Sequence, residues 1–238
     1  MAQVLNWLRG PGRTWVISAA LGAAAGAYLV RAGSGGQALS FADVLARLEH
    51  RGVPPVMLVA VALWMPVSVY WEISARRASA RAESEGHASR FVHVSLAAAA
   101  QLLLVVPVPG LRGRFVPSSE TLVALGLAVE CGGAGMAIWA RRRLGRHWSG
   151  AIATNVGHEL IRSGPYRVVR HPIYTGLLGL YLGTALVSGE LHALLGLGLA
   201  ALAYWRKIRL EEAHLRGVFG EKYAEYQRGT WALVPGVV

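Results

Sequence analysis

Residues 158–176 read HELIRSGPYRVVRHPIYTG, and the reading of this polar stretch decides the fold. It holds three arginines, two histidines, two tyrosines and two prolines. Long apolar runs lie on both sides of it, 119–140 before and 173–188 and 191–205 after. So dense a polar segment between such blocks reads as a connection at a membrane surface. Glu211-Glu212 follow just beyond the last block. Stretch and tail together suggest the wall of a small-molecule site.

Composition supports a membrane setting. Of 238 residues, 54% are hydrophobic and 16% charged, against about 25% charged in a soluble domain. Mean hydropathy is +0.40. The net charge is +11, and 22 of the 24 basic residues are arginine. These arginines punctuate apolar runs instead of covering one soluble face, which argues against nucleic acid as a partner. Cys131 is the single cysteine, so neither an internal disulfide nor a cysteine metal cluster is available. Its place in an apolar run predicts a small buried residue.

Working outward, six apolar runs read as spans: 14–30, 53–70, 91–108, 119–140, 173–188 and 191–205. The basic start and Ala25-Gly26-Ala27 also fit a signal peptide, but the later runs favour an uncleaved first span. Residues 40–49 read as an interfacial amphipathic helix, with Phe41, Val44, Leu45 and Leu48 on one face. The last two spans have about 15–16 residues each. At 1.5 Å per residue they reach roughly 23–24 Å, short of a core of about 30 Å. They must extend into polar sequence, tilt little or thin the bilayer. Residues 206–228 read as a charged helix broken at Gly220, and 231–238 as an apolar tail.

Six spans place 19 basic residues on one side and 5 on the other. The richer side is cytoplasmic by the positive-inside rule, and it holds both 158–172 and Glu211-Glu212. The expectation is an all-α integral membrane protein with about six transmembrane helices and a C-terminal cytoplasmic helical segment. Residues 1–118 would form three spans plus the interfacial helix, and 119–238 the core that carries the chemistry. Gly132, Gly133 and Gly135 lie inside a span, where small residues let helices approach; no strand precedes them to make a dinucleotide fingerprint.

The residue types point to a ligand with charges of both signs and a flat base. Pro172 suits the first turn of a helix, which puts Arg170 and His171 at a helix N-terminus, where an anionic group is favoured. Tyr166 and Tyr174 offer aromatic faces. A tight hairpin between the last spans returns Glu211-Glu212 beside them. His147, His158, His171 and His214 lack close ligand spacing, so no metal is expected. Glu130 stands in mid-span, at an insertion cost of about 2.5–3.5 kcal/mol. It either faces an acceptor channel or pairs with Arg141–Arg143.

The combination of RHPIYTG with EEAHLRGVFGEKYAEYQ after the hairpin resembles the isoprenylcysteine carboxyl methyltransferase family and its phospholipid methyltransferase relatives, over roughly residues 141–235. The resemblance implies S-adenosylmethionine as methyl donor. It implies that His158, Glu159, Leu160 and Ile161 contact the donor, as do Tyr166, His171, Pro172, Ile173 and Tyr174, with Glu211 completing the pocket. Lys207 matches a position that contacts the acceptor, where arginine is usual; Arg206 and Arg209 flank it. Lysine cannot clamp a carboxylate bidentately as arginine does. The implied acceptor is a lipophilic small molecule or lipidated group, a carboxylate, thiol or amine, that arrives from the membrane lipids. For an amine, Glu212 could take the proton. The Arg-, Ala- and Gly-rich composition points to a prokaryotic inner membrane with the site facing the cytoplasm. Two other readings remain: a membrane reductase that binds NADPH in a similar C-terminal region, and a transporter or binding protein without catalysis.

Overall fold

A computed structural model describes residues 46, 50, 54–75, 82–83, 86–148, 153–154 and 159–237. The span expected at 14–30 lies outside the described residues. So does the interfacial helix at 40–49, apart from Ala46, which is helical. Six helices follow: α1 Val56–Ala75, α2 His87–Val105, α3 Glu120–Leu144, α4 Pro172–Ser188, α5 Leu191–Phe219 and α6 Glu221–Arg228. A two-stranded ladder pairs β1 Ala82–Glu83 with β2 Ala153–Thr154.

Three of the described helices are long and apolar enough to cross a membrane: α1, α2 and α3. α4 is apolar but only 17 residues long. α5 joins the expected last span and the expected charged helix into one, unbroken to Phe219 and 29 residues in all, and it ends at the expected break, Gly220. At 1.5 Å per residue it is about 43 Å long. Residues 206–216 contain good helix formers and no glycine or proline, so nothing stops the helix before Gly220, whose positive φ of 53° ends it. The carboxylates at 211 and 212 are therefore held on a rigid helix, not on a loose tail.

The tightest packing is between α3 and α4. A Cβ at Gly133 would lie 2.6 Å from Gly176 O, and one at Gly183 would lie 2.5 Å from Gly126 O. Only glycine permits this approach. α2 lies along α5, and α1 packs on α3 and α4. Trp64, Val67, Trp71, Ala100 and Leu104 of α1 and α2 share one buried cluster with Leu177, Leu180 and Tyr204 of the C-terminal helices. Cys131 was expected inside; it is exposed on α3, as suits a residue on the side turned to lipid.

Two turns set the ends of the α4–α5 hairpin. At one end Gly189, with φ of 67°, closes the tight turn. Its carbonyl accepts from Phe115 N at 3.0 Å, and Leu191 N donates to Gly113 O at 2.8 Å. At the other end His171 is the N-cap of α4, with Pro172 at the first helical position, as the sequence suggests.

Candidate functional site

The site lies at the His171 end of α4. A short 3₁₀ turn, Gly164–Arg167, buries Pro165 and Tyr166. The chain then passes through 168–171 to α4. This segment is strapped by the C-terminal residues: Arg170 N donates to Trp231 O at 2.8 Å, His171 N to Ala232 O at 3.0 Å, and Trp231 N to Val168 O at 3.1 Å. Thr175 Oγ1 donates to Leu233 O at 2.8 Å. The tail read from sequence as merely apolar is thus a strap on the key stretch. Tyr226 of α6 adds a third hold, its hydroxyl donating to Tyr166 O at 2.6 Å.

Against this segment α5 sets its two carboxylates. Arg170 Nε donates to Glu212 Oε1 at 2.8 Å, and the arginine also donates to the Thr230 carbonyl. His171 sits between the acids, Nδ1 3.6 Å from Glu211 Oε2 and Nε2 3.3 Å from Glu212 Oε1. Tyr174 donates from its hydroxyl to Glu211 Oε1 at 2.5 Å. Ring stacking continues the contact inward: His171 on Tyr174 with centroids 5.8 Å apart, then Tyr174 on Tyr204 at 5.2 Å.

The electrostatics follow from these partners. Burial alone would push the His171 imidazole down, but its hydrogen bonds to Glu211 and Glu212 and their charges outweigh this and hold it above its ordinary value. Burial would raise both acids. His171, Lys207 and the Tyr174 hydroxyl bring Glu211 below its ordinary value, and His171 with Arg170 brings Glu212 down to about 2. Both acids are thus ionised at neutral pH and are weak bases. Burial, with Glu211 and Tyr226 nearby, pushes the Tyr166 phenol well up and keeps it neutral.

Of the residues expected in the site, His171, Tyr174 and Glu211 are in mutual contact, and Tyr166, Pro172 and Ile173 are buried beside them. Ile161 packs on the main cluster, Leu160 is half-buried and Glu159 is exposed. His158 lies outside the described residues. Lys207 is buried, at 3% exposure, one turn before Glu211. Arg206 turns away to α2, donating to Ser89 O at 3.3 Å and to Ser89 Oγ at 3.0 Å. Glu212 is held by Arg170 and His171. In the sequence Tyr226 stands only as part of the motif that carries the resemblance, and Tyr204 is not singled out. Tyr204, Lys207 and Glu211 follow helical spacing, which is the signal that could have found the first.

Glu130 is fully buried and accepts a hydrogen bond from Thr184 Oγ1 at 2.8 Å. The expected pairing with Arg141–Arg143 is not what Arg141 does. Its guanidinium bonds Ser74 O at 3.1 Å and Gly145 O at 3.0 Å and lies 4.1 Å from the centre of the Trp148 ring. Eleven residues, about 16 Å of helix, separate the two groups.

Residues 121–222 match the family model described as phospholipid methyltransferase. The protein-S-isoprenylcysteine O-methyltransferase of Schizosaccharomyces pombe is 31% identical over 133 residues, 53% of this chain and 54% of that protein. Its counterpart in Dictyostelium discoideum is 30% identical over 81 residues, 34% of each chain. A cobalt-zinc-cadmium resistance protein of Cupriavidus metallidurans is 40% identical over 95 residues, 39% of this chain and 43% of that one. The matches span between a third and about half of these relatives. Among solved structures, the eukaryotic intramembrane Ras methyltransferase, isoprenylcysteine carboxyl methyltransferase, aligns with a TM-score of 0.49 at 17% identity, over 76% of this chain and 64% of that one. The resemblance read from residues 141–235 is thus present in the family match and in the relatives, and it falls on the helices that carry the site.

Proposed function

We propose that this chain is an integral membrane methyltransferase that takes its methyl group from S-adenosylmethionine and delivers it to a lipophilic acceptor. The observation that carries the reading is the convergence of two distant segments: Tyr174 on Glu211 and Arg170 on Glu212, 37 and 42 residues apart in the chain. The family match across 121–222 spans both segments.

The donor set fits such a ligand. S-adenosylmethionine presents an ammonium, a carboxylate, ribose hydroxyls, a purine and a sulfonium whose methyl group is already electrophilic. Glu211 supplies an ionised carboxylate for a cationic or hydroxyl group. The stacked rings of His171, Tyr174 and Tyr204 form an aromatic wall against which a flat purine can pack. The turn before α4 brings the positive end of a helix toward the ligand's carboxylate. Tyr166 and Ile161 would complete the pocket, with Glu159 and Leu160 at its rim.

The protein's contribution to transfer is alignment and exclusion of water. Glu211 and Glu212 sit below their ordinary values, so neither is a ready base at neutral pH. An acceptor that arrives ionised, a carboxylate or thiolate, needs none and suits the site better than an amine. Buried Lys207, one turn from Glu211, stands where such an anion would be met. In this reading the first apolar run and α1 to α5 make about six spans, residues 119–238 form the catalytic core, and the site faces the cytoplasm of a prokaryotic inner membrane. Lipid-soluble acceptor enters sideways while the polar donor enters from water.

Calorimetry on detergent-solubilised protein tests the reading. S-adenosylhomocysteine should bind and NADPH should not, and labelled methyl should pass into a lipid extract. Binding of NADPH alone would replace this reading with a reductase, and binding of neither would remove the donor site.

A further inference from the structure

The aromatic wall does not end at Tyr204. Tyr204 meets Tyr181 edge-on at 6.3 Å, and Tyr181 meets Trp64 edge-on at 4.9 Å. Trp64 Nε1 donates to Thr184 Oγ1 at 3.1 Å, and Thr184 Oγ1 is 2.8 Å from Glu130 Oε1. From Glu211 to Glu130 there is thus an unbroken series of contacts through four helices. Tyr174 and Thr184 are ten residues apart on α4, so it runs about 15 Å into the bundle.

Glu130 is an odd choice for the far end. It is 0% exposed, and its Oε2 has no hydrogen-bond partner among the described residues. A buried carboxyl with one oxygen unsatisfied costs stability, and an apolar replacement of similar shape is often neutral or better. Nor can a ligand reach it without parting the helices, because the backbones of α3 and α4 touch around it: a Cβ on Gly183 would lie 2.6 Å from Glu130 Cβ. Stability and direct ligand contact therefore both explain it poorly. The Thr184 hydroxyl has one proton and two acceptors, Glu130 Oε1 and its own helix's Leu180 O at 3.0 Å. The carboxyl decides which way that proton turns, and hence how the oxygen receives Trp64.

We infer that Glu130 is a positioning residue for the donor site, fixing Thr184 and Trp64 so that Tyr181 and Tyr204 hold Tyr174 against Glu211. This rests on the donor-site reading above. Coupling carried through packed side chains amounts to about 0.5–2 kcal/mol, roughly twofold to thirtyfold in affinity. A positioning role separates two readouts that a purely structural role would not: lower donor affinity without lower stability.

The test is S-adenosylhomocysteine affinity by calorimetry, together with the thermal midpoint, for the purified wild type, Glu130→Leu, Glu130→Gln and Thr184→Val. Glu130→Leu should bind roughly twofold to thirtyfold more weakly with an unchanged or higher midpoint. Glu130→Gln, which keeps an acceptor for Thr184, should restore most of the affinity. Thr184→Val, which keeps the shape and loses the hydroxyl, should match the leucine variant. Wild-type affinity in Glu130→Leu, or in Thr184→Val should the leucine variant not fold, overturns the inference while leaving the donor site standing. A wild type that binds no S-adenosylhomocysteine removes the donor site and this inference with it.

Discussion

The two ends of the α4–α5 hairpin carry the same three residue types in contact. At the Gly189 turn, Arg112 meets Glu190 at 3.2 Å and His192 Nε2 meets Glu190 at 3.1 Å. At the other end, Arg170 meets Glu212 at 2.8 Å and His171 Nε2 meets it at 3.3 Å. The differences lie in what is added. Arg112 is 44% exposed, and His192 Nδ1 is spent on Leu103 O at 2.7 Å; the cluster latches a loop to a turn. Arg170 is 12% exposed, His171 reaches a second carboxylate, and that carboxylate is met by a tyrosine in an aromatic stack. Arg–Glu–His contact alone therefore marks nothing; the second acid and the stacked rings set the site apart.

That contrast can be broken by substitution. The largest effect should come from Glu211→Gln. Truncating one partner of a buried, hydrogen-bonded charge pair costs about 2–5 kcal/mol, so S-adenosylhomocysteine affinity should fall at least about 30-fold by calorimetry. Next is Tyr174→Phe, which keeps the ring and loses the donation to Glu211. A hydrogen bond to a charged group contributes about 1.5–3 kcal/mol, and roughly tenfold weaker donor binding is expected.

A smaller effect sharpens the comparison through pH. The folded value of His171 lies above its ordinary 6.5, so its contribution is complete below 6.5 and is lost as pH rises through the raised value. Glu211 lies below its ordinary 4.5, and Glu212 falls from 4.5 to about 2. Their contribution is complete above 4.5 and is lost as pH falls towards 2. The midpoint difference between wild type and His171→Gln should therefore be greatest between about 4.5 and 6.5 and shrink on either side, by a few degrees at about 2–4 °C per kcal/mol. Smallest of all is Glu190→Gln at the other end. With its arginine half in solvent the pair contributes about 0–1 kcal/mol. Scanning calorimetry should show a midpoint lower by a few degrees at most, and donor affinity should stay within about twofold.

The comparison also shows what the sequence reveals and what it hides. The apolar runs read at 53–70, 91–108 and 119–140 fall on α1, α2 and α3, because length and composition decide them. Tyr166, His171, Tyr174 and Glu211 are legible as aromatic and charged residues in two polar segments that the last hairpin brings back together. The charged helix past 205 and its break at Gly220 are legible too, but its continuity with the span before it is obscured by the charges, which change hydropathy without changing helix propensity. Tyr204 hides inside an apolar run, because its role depends on the rotation of α5 against α4. The strap at 231–233 hides for another reason: it acts through backbone hydrogen bonds, which any side chain permits. Glu130 is conspicuous in sequence, yet its partner Thr184 is set by a glycine-lined helix crossing that residue types alone do not specify.

The most direct test of the central claim is an experimental structure of the full chain with S-adenosylhomocysteine. The account expects the ligand between α4 and α5, against the Tyr174 ring and within hydrogen-bonding distance of Glu211. A ligand bound elsewhere, or Tyr174 and Glu211 emerging on opposite faces of the membrane, would contradict it.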